Sequence, residues 1–62
     1  MPLYEVLLLS DDGSEIRLTD HGLTVGETVA IGQRRWLVQQ ESPPEREDAV
    51  TRFVCVPATH TE

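Results

Sequence analysis

The apolar positions along this chain recur mostly every second residue, the spacing of strands, and no segment carries a helical apolar stripe. Tyr4, Val6 and Leu8 alternate with Leu3, Glu5, Leu7 and Leu9. A segment apolar on much of both faces belongs in the middle of a sheet. Ser10-Asp11-Asp12-Gly13-Ser14 follows, and Asp-Gly between two apolar runs is a strong hairpin signal. Glu15 to Thr19 reads as the second strand, Asp20-His21-Gly22 as a turn and Leu23 to Gly26 as a connecting arc. Glu27 to Ile31 reads as a third strand. Gly32-Gln33 fits a type II′ turn, which pairs Val29 with Trp36 and Ile31 with Arg34. Arg34 to Gln40 is the fourth strand. The Pro-rich, acidic stretch from Glu41 to Asp48 is the least ordered on composition. Ala49 to Val56 is the fifth strand, and Pro57, which has no N–H for a continuing ladder, ends it.

The first hairpin admits two registers. A two-residue turn at Asp12-Gly13 sets Leu9 opposite Ile16 and Leu7 opposite Leu18. A three-residue turn, with Gly13 left-handed, sets Leu8 opposite Ile16 and Val6 opposite Leu18. A slip of one residue exchanges the faces. The second register is preferred, because Tyr4, Val6 and Leu8 then share an apolar face with Ile16 and Leu18. Glu5, Glu15 and Arg17 are left together on the other.

Sixty-two residues suffice for one domain only. A chain of this length buries about 60% of the surface it exposes when unfolded, which limits its stability. The expected fold class is all-β: a small five-stranded barrel over residues 1–57, or a strongly bent antiparallel sheet, with a flexible tail over 58–62. Closure is attractive because it removes exposed strand edges. The stretch from Val25 to Val38 resembles the middle of SH3-like barrels, and Tudor and KOW domains have a similar run. The shared elements are a Gly-acid turn at Gly26-Glu27, an alternating strand, a tight turn and another alternating strand. The resemblance spans residues 25–38. It implies a binding module for peptides, modified lysine tails or RNA, or a structural part of a larger machine.

Charge narrows that range. Eleven acidic residues against five basic ones, all Arg, give a net charge of -6. Nucleic-acid binding draws on counterion release by a basic stripe, so the balance argues against nucleic acid and anionic membrane as partners. The alternative function, binding of nucleic acid through Arg17, Arg34 and Arg35, rests on the only basic cluster. That cluster lacks stacking aromatics, and cross-strand pairing with Glu5, Glu15 or Glu27 explains it more simply. Leu7-Leu8-Leu9 is too short for a signal core or a membrane span. The lone Cys55 forms no internal disulfide, which suits a reducing compartment, so the protein is expected in the cytoplasm.

Candidate chemistry is sparse. Cys55, His21 and His60 lack metal-ligand spacing, and no metal or other cofactor is expected. Cys55 within Val54-Cys55-Val56 reads as a small buried hydrophobe with a raised thiol pKa, not as a nucleophile. Asp11-Asp12 suits a turn, and the carboxylates of 45–48 suit a solvated loop. The expectation is therefore a protein that is not an enzyme. Tyr4, Trp36 and Phe53 would suit a methylated ammonium if they converged beside an acidic rim, but three large side chains are barely enough for the core itself. If Trp36 is buried, its N–H needs a partner.

The most informative feature is an outward apolar set of Leu3, Leu7, Leu9 and Leu37, with Val54 as a further member. These residues cannot share a core with Tyr4, Val6 and Leu8. Either they cover a second small core under the Leu23–Val25 arc, or they form an exposed patch that marks an interface. The expected function is a protein-interaction or assembly module with a protein partner or a second copy of itself.

Overall fold

A computed structural model describes residues 2–58. Five strands form one sheet: β1 (Tyr4–Ser10), β2 (Gly13–Thr19), β3 (Thr28–Ile31), β4 (Arg34–Ser42) and β5 (Arg52–Pro57). Their order is β2-β1-β5-β4-β3. The sheet curls strongly into a half-barrel and carries no helix among the described residues. The all-β class, the five strands and the central place of β1 agree with the sequence reading. The tail expected over 58–62 lies outside the described residues except for Ala58, whose N–H donates to the Arg35 carbonyl at 2.9 Å.

The sheet is mixed, where a bent antiparallel sheet was the expected alternative to a barrel. β1 and β5 run parallel, with Val6 beside Phe53 and Leu8 beside Cys55. The other three interfaces are antiparallel. Because β1 lies between β2 and β5, the two hairpins are joined through the parallel pair. β2 and β3 remain the outer edges.

The β3–β4 hairpin has the expected register, with Val29 opposite Trp36 and Ile31 opposite Arg34. Its turn is type I′ in place of type II′. Gly32 and Gln33 both adopt positive φ, 61° and 70°. The twist of that turn matches the flanking strands, and Gln33 bears the left-handed strain that a second glycine would have avoided. Further along β4, Val38 pairs with Cys55 and Gln40 with Val54, so Gln39 is an extra, bulged residue. A bulge bends its strand, which assists the curl over the core.

The first hairpin matches neither expected register. Ser10 pairs with Gly13, Leu7 with Ile16 and Glu5 with Leu18. Asp11-Asp12 alone makes the turn, and Gly13, at φ 130°, serves as the first residue of β2. The hairpin therefore closes one residue tighter than the preferred register. Ile16 and Leu18 move to the face of Leu7, and Glu15 and Arg17 to the face of Val6. The physical reason is the two-sided apolar character of β1. Either face can satisfy an apolar partner, so the turn decides.

The core lies in the hollow of the half-barrel. Val6, Leu8, Trp36, Val38, Phe53 and Cys55 are buried there, and Tyr4, Leu23, Val29 and Ile31 pack against them. The indole N–H of Trp36 donates to the Ile31 carbonyl at 3.2 Å, which provides the partner that its burial requires.

The acidic loop after β4 is strapped down, contrary to its composition. The carboxylate of Glu5 accepts the backbone N–H of Glu45 at 3.3 Å and that of Arg46 at 2.8 Å. The Val50 N–H donates to the Leu3 carbonyl at 2.7 Å, and the Glu5 N–H to the Thr51 carbonyl at 3.0 Å. These bonds deliver β5 into its parallel place beside β1.

Candidate interaction face

The strand registers divide the side chains between two faces. In any ladder, paired residues share a face and neighbours along a strand alternate. Leu7 pairs with Ile16 across β2 and with Val54 across β5, and Leu37 pairs with Val56. These residues therefore lie on the convex side, away from the core. Leu9 shares that parity along β1 and Leu18 along β2, and Leu3, just before β1, continues it by accepting the Val50 N–H. Leu9, Ile16 and Leu18 are exposed, Ile16 and Leu18 at 46% each. Leu3, Leu7, Leu37 and Val56 are half-buried, and Val54 is buried.

The outward leucines of the sequence reading are therefore on one face. The shifted register enlarges that set with Ile16 and Leu18, which sequence reasoning placed in the core. The Leu23–Val25 arc, whose cover was one of the two alternatives for these residues, goes to the other side. Leu23 packs on the core cluster, and Val25 is itself exposed. Nothing among the described residues forms a second core beneath that arc.

One end of the convex face is closed by charge. Glu5 points outward from β1 but is only 1% exposed, since the loop after β4 folds over it. Arg52, beside it on β5, donates from Nε to Glu5 Oε1 at 2.8 Å. Burial pushes the Glu5 pKa up. The hydrogen bonds from Arg52, Arg46 and Glu45, with the charge of Arg52, outweigh that effect and hold it below its ordinary value. Arg52 also lies 3.4 Å from Glu45. Sequence reasoning missed this pair and grouped Glu5 with Glu15 and Arg17 on the face opposite Tyr4, Val6 and Leu8. The usable signal was a carboxylate inside an otherwise apolar strand, since a buried charge needs a partner.

The three arginines of the basic cluster part company. Arg17 pairs with Val6 and Arg34 with Ile31, so both lie on the concave side. They line one groove of about 310 Å³ together with Glu15, Ile31 and Trp36. The Arg34 guanidinium stands 5.1 Å from the Trp36 ring centroid, a cation–π distance. Arg35 pairs with Ala30 and sits on the opposite face. Arg17 bonds its own strand neighbour Glu15 at 3.2 Å in place of a cross-strand partner.

The aromatics belong to the core. Tyr4 and Phe53 meet with ring centroids 5.9 Å apart. Trp36 is opposite Pro57, at the far end of β5 from Phe53. Cys55 is fully buried, and desolvation raises its thiol pKa. The folded protein should therefore resist alkylation at Cys55 by on the order of a hundredfold or more relative to the unfolded chain. Iodoacetamide labelling with and without denaturant measures this, and equal rates in both states would remove Cys55 from the core. His21 bonds Asp20 and Thr19 in an exposed turn. His60 lies outside the described residues. Among the described residues, no three His, Cys, Asp or Glu side chains gather as a metal site. No helix there is long and apolar enough to cross a membrane.

Comparison with known proteins yields no match among family models, curated proteins or solved structures.

Proposed function

We infer that this protein is a non-enzymatic interaction or assembly module that binds protein through the convex face of its half-barrel. The observation that carries the reading is the convergence of Leu7, Leu9, Ile16, Leu18, Leu37 and Val56 on one side of one sheet, with Ile16 and Leu18 nearly half exposed. A contiguous apolar patch is costly in water and is characteristic of protein contact surfaces. The net charge of -6 favours a protein partner over nucleic acid, and the separation of Arg35 from Arg17 and Arg34 weakens the nucleic-acid alternative. The buried, desolvated thiol supports a role without covalent chemistry and suits a reducing, cytoplasmic setting. Kinship with SH3-like barrels is part of this proposal, supported by the curled five-stranded sheet and by the tight β3–β4 hairpin within residues 25–38.

The test is solution mass by light scattering across a concentration series, combined with binding of a hydrophobic-surface dye. The chain should exceed its 7.0 kDa monomer mass as concentration rises, or bind dye as a monomer. Ile16→Glu should abolish whichever signal appears, while near-UV circular dichroism stays native. A 7.0 kDa chain that binds no dye at any concentration would overturn the reading.

A further inference from the structure

The free edge of β2 is self-complementary. Its polarity is fixed by a single bond. The Glu5 N–H points to β5, so the odd residues of β1 direct their backbone groups away from β2 and the even ones toward it. Their partners follow. Gly13, Glu15, Arg17 and Thr19 bond to β1, and Ser14, Ile16 and Leu18 turn their N–H and C=O outward. β2 has no hydrogen-bonded strand on that side, where the half-barrel opens as a groove toward the β3–β4 hairpin, and every residue from Gly13 to Leu18 is exposed. This seven-residue edge contains no proline, no lysine and no bulge, the common devices that blunt edges. The other edge, β3, is four residues long and leaves only Thr28 and Ala30 outward.

We propose that two copies of this chain pair antiparallel through β2, about a two-fold axis at Ile16, to form one continuous sheet. The inference rests on the reading of the protein as an interaction module, and it names the partner and the contact. In this register each outward backbone group finds an outward group. Ile16 exchanges N–H and C=O with Ile16 of the second copy, and Ser14 does so with Leu18. On the convex side the two Ile16 side chains meet, flanked by both Leu18, and extend the apolar face across the axis. On the concave side Glu15 falls opposite Arg17 of the second copy, and Arg17 opposite its Glu15. Inward charges on an edge ordinarily deter pairing. Here they penalise strands of other sequence and favour this one, because the strand carries opposite charges at positions symmetric about Ile16. The Glu15–Arg17 pair within one chain is half-exposed, so both groups are available to pair again across the axis.

The experiment is a charge reversal with sedimentation or light scattering as readout. Wild type should form a concentration-dependent dimer. Glu15→Arg and Arg17→Glu, each alone, place like charges across the axis and should raise the dissociation constant by about tenfold or more. An equimolar mixture of the two variants should restore dimers, as heterodimers, because opposite charges then face each other at both positions. The double variant Glu15→Arg/Arg17→Glu should dimerise on its own. Native circular dichroism of each variant excludes unfolding as the cause. Three results would overturn the pairing: a wild type monomeric throughout, a dimer indifferent to both reversals, or single variants that stay monomeric on mixing. A charge-indifferent dimer lost with Ile16→Glu, or a dye-binding monomer, would leave the convex-face reading standing while the edge contact fails.

Discussion

Phe53→Ala should lower the stability of this domain by about 3–5 kcal/mol. Phe53 is 3% exposed at the centre of the hollow, beside Val6 on β1, across from Glu41 on β4, and in ring contact with Tyr4. Its removal costs the transfer energy of the ring and leaves a cavity that the curled sheet cannot collapse without breaking the β1–β5 ladder. A chain of this length has a total stability of roughly 3–9 kcal/mol by the usual per-residue range. The loss therefore consumes much of it, and a large unfolded fraction should appear at room temperature. Urea unfolding followed by Trp36 fluorescence measures the change. Leu18→Ala, half exposed on the other face, is the matched control and should cost about 1 kcal/mol or less. If the two variants unfold at the same urea concentration, the core is not in the hollow.

That contrast between faces bears on what the sequence could reveal. The β3–β4 hairpin was legible to the register, because Gly32-Gln33 sits between runs whose apolar residues alternate cleanly and Val29 then meets Trp36. Cys55 was legible as a core residue from its β-branched neighbours. The first hairpin was not. Leu3, Leu7 and Leu9 make the outer side of β1 as apolar as the inner side, so the pattern specifies no register. The decision fell to the turn, which closes on Asp11-Asp12 alone and which no periodicity encodes. The slip is also what carries the proposed function. It moved Ile16 and Leu18 out of the core and turned Glu15 and Arg17, symmetric about Ile16, to the concave side of a free edge. The ambiguity in the sequence and the apolar face in the structure have one cause, a central strand with two apolar sides.

The loop after β4 shows a second kind of illegibility. Pro43-Pro44 and its carboxylates read as a solvated connection, and locally they are. Its order comes from a residue about forty positions earlier. The alternation of β1 marks Glu5 as an exception, but only the parallel return of β5 shows that the exception is answered by Arg52. A contact between the first strand and the last, set by topology, leaves no trace in local composition.

Glu5→Gln should therefore be the most damaging substitution on the convex side. It should lower the melting temperature by on the order of 10 °C. Glutamine keeps the shape but has one acceptor oxygen. The carboxylate uses Oε1 for Arg52 and Glu45 and Oε2 for Arg46, so an amide NH₂ must oppose at least one N–H. The carboxylate left beside Arg52 is that of Glu45, which is exposed. The Arg46 amide should lose its hydrogen-exchange protection as the loop loosens. The pH dependence separates charge from shape. The folded state holds the Glu5 pKa below its unfolded value, against the upward push of burial. Its contribution is thus fully present above the ordinary carboxylate range and is lost as pH falls through that range and below the folded pKa. The stability gap between wild type and Glu5→Gln should be widest near neutrality and close in acid. Some acid dependence should remain in the variant, because hydrogen bonding to Arg46 also holds Asp48 low. That pair is exposed, and its share is small. A gap that stays constant from neutral pH into the acid range would mean that the strap depends on the packing of Glu5 and not on its charge.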